Sequence, residues 1–423
     1  MLAQPHPSPL GHFVSYFVPL SERMFNLQNK AEKEGRQSEA KVWNVLISQV
    51  WVGFAGYCHA PPDVKDASIR VPCPSIPLSD PLQALTPAFC QLLSQLLYTQ
   101  PELRLLVLKG LKSLVESSLA VSQAEPEHPT EISVVGGSIT REEATENVVF
   151  LKTQVESWLA VFFNVFGSVE RESRGLVGDV ISVWANIADS REISKAYRKV
   201  VELFRQNLQR LIAAPDMQQN ANVTTMTQDL LILLLPCLEA REMMSLVQIC
   251  MADEVLCCKD NGVQKRGYKI LAKVLSSEKV QTDTLATLQQ LDSFTTSLSP
   301  AAKKDRFVLL TNLIPNIPPT SLHIIPSLIP EAVLGTKEPS ERARSAAFEL
   351  IVCMGQKMSN GGLVQRQMVD GMDEDVAPEG LCFHICHSVK NFTIFTYTTS
   401  KREHKRVHDH GCWWTGRSNS PHD

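Results

Sequence analysis

No uninterrupted apolar run of this chain is long enough to cross a bilayer as a helix. The most apolar stretch, Leu230 to Leu238, falls far short of the ~20 residues such a span requires. Met1 to Gly11 has neither the basic start nor the apolar core of a secretory leader, so a soluble intracellular chain without membrane contact is expected. An excess of one charge is missing too. Lys and Arg number 41 against 45 Asp and Glu, a net charge of −4, which argues against nucleic acid coating the whole surface but leaves room for a local basic face. Cysteine is present, 11 residues in all, but scattered through apolar segments such as those holding Cys237, Cys250 and Cys353. In so long a chain that is reduced-thiol usage. The motifs of catalysis are absent: no phosphate-binding loop, dinucleotide glycine motif, HExxH pair or GxSxG elbow occurs. Histidine is scarce before residue 380, which leaves a Ser-His-Asp or Cys-His site without support. The expectation is no enzyme and no cofactor.

What fills the chain is helix. Ser299 to Met358 is the clearest stretch. Ser299-Pro300 reads as a capped helix start, and Phe307, Leu310 and Leu313-Ile314 recur at helical spacing until Pro315. Leu322 to Leu334 is interrupted by Pro326 and Pro330, which predicts a kinked or split helix closed by Gly335. Pro339 opens a third helix, with Ala343, Ala347, Leu350 and Met354 on one stripe. Such short amphipathic helices cannot bury their faces alone. A shift of two HEAT-type periods of about 40 residues lays Tyr268-Lys269-Ile270-Leu271 on Phe348-Glu349-Leu350-Ile351. The predicted fold is all-α, a HEAT/armadillo-like α-solenoid (α/α superhelix).

Three segments resemble a known family. Glu331-Ala-Val-Leu334-Gly-Thr-Lys337-Glu338-Pro-Ser-Glu-Arg-Ala343-Arg344-Ser-Ala-Ala347-Phe348-Glu-Leu350 is similar to a segment of the ribosomal-RNA-processing HEAT proteins, the family numbered twelve. Lys41-Val-Trp43-Asn-Val-Leu-Ile-Ser-Gln-Val-Trp51 with Gly53 to Cys58, and Leu97-Tyr98-Thr-Gln-Pro101-Glu-Leu103-Arg104, resemble its amino-terminal half. The likeness covers roughly residues 12 to 378. The chain is shorter than the family leads one to expect, which suggests an internal piece or a truncated product. The resemblance implies a nucleolar scaffold in small-subunit precursor maturation and nuclear export. Its implied partners are pre-ribosomal particles, pre-rRNA, assembly factors, and Ran and nucleoporins. A karyopherin-like transport receptor, or a HEAT regulatory subunit of a phosphatase or kinase, is the alternative.

Along the chain, residues 1–11 read as a flexible start and 12–121 as amino-terminal helical repeats. A connector at 59–81 interrupts these repeats, with Pro61, Pro62, Pro72, Pro74, Pro77 and Pro81. Trp43, Leu46-Ile47 and Val50 fit one buried face of the helix before it. Residues 122–138 read as a loop, and Thr140-Arg-Glu-Glu143 as a capping box opening the repeats of 139–370. In this second array Ile193, Tyr197, Val200, Phe204, Leu208 and Leu211 make a clean apolar stripe. Residues 371–423 read as an acidic turn and a divergent, disordered tail. There Cys382, Cys386, His404 and His408 approach a zinc-finger pattern, but the middle spacer is too long and the expected helix is missing, so no metal is expected.

The candidate binding residues are basic. Arg191, Lys195, Arg198 and Arg205 lie opposite the apolar stripe just described; Lys265, Lys269 and Lys273 recur every four residues, with Arg266 beside them. Lys303, Lys304 and Arg306 mark a further helix start. Aligned across neighbouring repeats, such faces would offer a track for RNA phosphates or an acidic protein.

Overall fold

In the computed structural model, the structure describes residues 9–61, 64, 85–124, 139–215 and 217–360. Among them there is no β-strand. The protein is an all-α helical-repeat chain. It divides into two compact units between Met243 and Met244, inside the span 139–370 that the sequence reading kept as one array.

The first unit begins with α1 (Pro9–His12), continued by a π-turn (Phe13–Phe17) into α2 (Val18–Lys33). Leu10 and Phe13 are buried, so the expected flexible start through residue 11 already contains helix. Next come α3 (Gln37–Val52), α4 (Phe54–Tyr57), α5 (Pro87–Thr99) and α6 (Pro101–Gln123). The two long helices α7 (Arg141–Ser168) and α9 (Ser190–Ala213) alternate with α8 (Arg174–Ile187) and α10 (Gln218–Leu234). The helix α11 (Ala240–Cys250) carries the division between the units.

Large apolar side chains join the helices of this unit. Phe13, Trp51 and Phe54 meet with ring centroids 5.0–5.3 Å apart, and Trp158, Phe162 and Trp184 form a second cluster at 5.5–5.9 Å. The buried ring nitrogens find acceptors. Trp51 donates to Ser21 Oγ at 2.8 Å, and Trp184 to the Leu111 carbonyl at 3.1 Å. The stripe on α9 is buried as its spacing requires, from Ile193 to Leu211. The capping box is formed: Thr140 Oγ1 accepts from Glu143 N, and Glu143 accepts from Thr140 N. By length and composition α7 could cross a membrane. It nevertheless begins Arg141-Glu142-Glu143 and packs on α6 and α8, as a core helix does.

The start of the proline-rich connector is fixed in the core. Ala60, in the left-handed region at φ 44°, donates to Ser117 Oγ at 2.6 Å, and the Pro61 carbonyl accepts from the buried Asn147 at 2.6 Å. On α3 the burial differs from expectation. Ala40, Ile47 and Trp51 face inward, Trp43 and Val50 are half-buried, and Leu46 is exposed together with Val42 and Val45. This helix has apolar residues around most of its circumference, and an alanine contributes to the face that wins.

The second unit holds α12 (Asp253–Leu256), α13 (Asn261–Leu275), α14 (Thr284–Ser293), α15 (Lys303–Leu313), α16 (Ile325–Gly335) and α17 (Glu341–Asn360). Here α15 lies between α13 and α17. Asn312 reaches the Ala272 carbonyl at 2.8 Å, and Lys357 the Pro315 carbonyl at 2.7 Å, so the three helices run side by side in the same direction. The repeat register holds for Ile270, Leu271, Leu350 and Ile351, all of which are buried. Phe348 is only half-buried, whereas its counterpart Tyr268 is fully buried.

One predicted helix start shifts. Ser299 does not cap α15, which starts at Lys303 after Ala302. Instead the Ser299 amide donates to Gln264 Oε1 at 2.8 Å, while Gln264 Nε2 donates to the Leu256 and Ser297 carbonyls at 2.7 and 2.8 Å. This buried glutamine ties two turns to α13, and the serine belongs to one of them. The proline-interrupted segment splits as predicted, into a 3₁₀ turn (Pro319–Ile324) and α16, with Pro326 in its first turn and Pro330 inside.

Candidate nucleic-acid interface

The charges on α9 stand on its solvent face because the apolar stripe turns them outward. Arg191, Lys195, Arg198 and Arg205 are all exposed. The stripe is interrupted, however. Lys195 pairs with Glu156 at 3.1 Å, Glu202 stands among the arginines, and Leu203 is exposed beside them. Exposed pairs of this kind contribute little to stability but do occupy the cation.

On α13, Lys265, Lys269 and Lys273 are exposed and have no carboxylate within ion-pair distance among the described residues. Arg266 turns away from them: it is half-buried, and its guanidinium reaches the Gly262 carbonyl at 3.3 Å. Lys304 on the neighbouring α15 is exposed as well. At the base of these lysines is Asp305, 6 % exposed, with Oδ1 3.9 Å from Lys304 Nζ and Oδ2 buried without a hydrogen-bond partner. Burial pushes the Asp305 carboxyl above the usual carboxylate range, and Lys304, Lys265 and Lys269 pull it part of the way back. Lys304 is thus the cation next to Asp305, with Lys265 and Lys269 exposed on the adjacent helix. The α9 and α13 faces belong to different units and are separate features.

Arg306 is not part of a basic face. It is wholly buried, pairs with Glu331 through two contacts of 2.5 and 2.9 Å, and donates to the Leu291 carbonyl at 2.8 Å and Thr295 Oγ1 at 2.7 Å. Its guanidinium also lies 5.9 Å from the Tyr268 ring centroid. Burial works to lower its pKa, but the Glu331 hydrogen bonds and charge raise it by more, so it stays charged. One side chain thus joins α13, α14, α15 and α16.

The segment Glu331 to Leu350 acquires a physical reading from these contacts. Glu331 neutralises Arg306, Lys303 pairs with Glu338, and Arg344 donates to the Glu338 and Pro339 carbonyls at 2.8 Å. Gly335 passes so close to Phe307 that a Cβ there would lie 2.5 Å from its ring, and 2.9 Å from the Ala347 Cβ. The motif locks the α16–α17 turn onto α15. It is structural, which is why it names a relative without naming a site.

Nothing in the described residues assembles a reactive centre. No group of three His, Cys, Asp or Glu side chains could hold a metal among them, and the zinc-like tail lies outside the described residues. Burial pushes the Cys250 thiol up to about 12 and the Cys90 thiol up to about 11, away from thiolate chemistry. An open cleft of about 450 Å³ between α2 and α3 is lined by apolar side chains, among them Phe17, Leu20, Met24 and Tyr57, with Gln49 its one amide.

Fold and surface together define a HEAT-type helical-repeat protein with exposed basic faces and a polar network buried in its second unit. Residues 1–68 and 77–169 match the family described as ribosomal RNA-processing protein 12, HEAT repeats. A putative ribosomal RNA-processing protein 12 of Schizosaccharomyces pombe is 28 % identical over 360 residues, covering 83 % of this chain and 29 % of that protein. Ribosomal RNA-processing protein 12 of Saccharomyces cerevisiae is 23 % identical over 356 residues, or 82 % of this chain and 27 % of its own length. The human RRP12-like protein is 26 % identical over 376 residues, or 85 % of this chain and 24 % of its own. The chain is thus similar to ribosomal RNA-processing protein 12 and RRP12-like proteins over more than four fifths of its length. It spans less than a third of the length of these relatives.

Proposed function

We propose that this chain is a non-enzymatic helical-repeat scaffold of ribosome biogenesis, acting in pre-rRNA processing. The reading extends to small-subunit precursors in the nucleolus, to their assembly factors, and to nuclear export with contacts to Ran and nucleoporins. The observation that carries it is the alignment over more than four fifths of the chain with proteins named for ribosomal RNA processing. Its physical support is a set of rigid helices with basic residues on their outer faces: Arg191, Lys195, Arg198 and Arg205 on α9, and Lys265, Lys269 and Lys273 on α13. On this reading those cations meet RNA phosphate, and the helical layers hold assembly proteins. Arg266, held to its own helix, is left a lesser part.

Affinity purification of the tagged chain followed by mass spectrometry tests the proposal. Small-subunit ribosomal proteins and their assembly factors are the expected companions. Recovery of a phosphatase or kinase catalytic subunit instead, with no ribosomal precursor, would sink it in favour of a regulatory HEAT subunit. Recovery of transport cargo with Ran alone would favour a transport receptor.

A further inference from the structure

Of the two basic faces, one is arranged as a site. Lys265 and Lys269 on α13 and Lys304 on α15 are exposed on adjacent parallel helices, and Lys304 Nζ lies 3.9 Å from the buried carboxylate of Asp305. Nothing else among the described residues neutralises them. The α9 face differs on each count: its cations come from a single helix, Lys195 is engaged by Glu156, and Glu202 lies between Arg198 and Arg205.

We propose that Lys265, Lys269 and Lys304, near Asp305, form the phosphate-binding site of this chain for single-stranded RNA. The inference rests on the RNA-scaffold reading above and assigns its contact point. Three ammonium groups against one carboxylate leave a surplus of positive charge at an exposed surface, which a phosphodiester can neutralise. The lysines on α13 are one helical turn apart, about 6 Å along the axis, so successive phosphates of an extended strand can each meet one. Lys304 offers a third contact from the next helix. Asp305, 3.9 Å from Lys304, competes with the phosphate for that ammonium group. That competition gives the site a signature which an inert solvated face lacks.

The test is oligouridylate binding by the full chain, with helicity and melting recorded for each variant. A triple variant, Lys265→Gln, Lys269→Gln and Lys304→Gln, should bind about a hundredfold more weakly at about 0.1 M salt. It should lose about 2 from the slope of log affinity against log salt, at ~0.7 per phosphate contact. Arg198→Gln with Arg205→Gln, on the single-helix face, should weaken binding by far less than the triple variant does. Asp305→Asn removes the internal competitor and should tighten binding about fivefold at low salt. Should that variant not fold, Asp305→Ser makes the same charge change with a smaller group. Wild-type affinity in a folded triple variant would overturn this inference alone. So would weaker binding by a folded Asp305 variant, or polyglutamate displacing oligouridylate at equal charge concentration, which would mark an acidic-protein site. A wild-type chain that does not bind oligouridylate at all would overturn the RNA contact of the parent reading as well.

Discussion

Arg306→Ala should destabilise the second unit by roughly 3–5 kcal/mol, the usual cost of removing one partner from a buried ion pair. The loss has two parts. Glu331 is left without its cation, and the Thr295 hydroxyl loses its charged donor. Glu331 keeps 16 % exposure, enough for water to reach the orphaned carboxylate, so the lower half of that range is expected. Replacing both partners, Arg306→Met with Glu331→Leu, should cost much less, because no uncompensated charge remains. Hydrogen exchange should accelerate first around α14 and α16, the elements Arg306 joins to α13 and α15. A single substitution costing under about 1 kcal/mol in chemical denaturation would show that this network is not what holds α14 and α16 in place.

The first unit has its counterpart in Trp184. Trp184→Ala should cost about 3–5 kcal/mol, the range for truncating a buried aromatic. The ring is fully buried, and Trp158 and Phe162 cannot close the space without leaving their own contacts. Trp184→Phe keeps most of the packing and gives up the hydrogen bond to the Leu111 carbonyl, so it should cost nearer 1 kcal/mol. If both variants melt alike, the hydrogen bond outweighs the ring, contrary to the packing account.

Where the sequence was legible, a single regular pattern was in command. On α9 one apolar residue recurs per turn from Ile193 to Leu211 with polar residues between, so the buried face and the exposed cations follow together. The capping box at Thr140 was equally plain, since both of its residues are local. The misreadings come from long-range partners. Arg306 stands beside Lys303 and Lys304 at a helix start, where a cation ordinarily faces water. Its carboxylate is 25 positions away and its aromatic neighbour Tyr268 is 38 away, so no local period points inward. The available signals were the glutamate at 331 and the tyrosine at 268, both within segments already picked out as repeat-like. Ser299 misled in the same way: its amide is held by Gln264, which only the tertiary fold brings near. At α3 the pattern itself was ambiguous, because Val42, Val45 and Leu46 remain exposed while Ala40 is buried. Of the candidate interface, the lysine spacing on α13 was visible, but the part played by Lys304 and Asp305 needed the packing of α15 on α13.

The claim at the centre of this account is that the chain contacts ribosomal precursor RNA through its second unit. Ultraviolet crosslinking in cells, followed by sequencing of the RNA attached to the tagged chain, tests it most directly. The account predicts enrichment of pre-rRNA over an untagged control, and loss of that enrichment when Lys265, Lys269 and Lys304 are changed together to glutamine. Recovery of no more pre-rRNA than the control, from cells in which the tagged chain is folded and abundant, would contradict it.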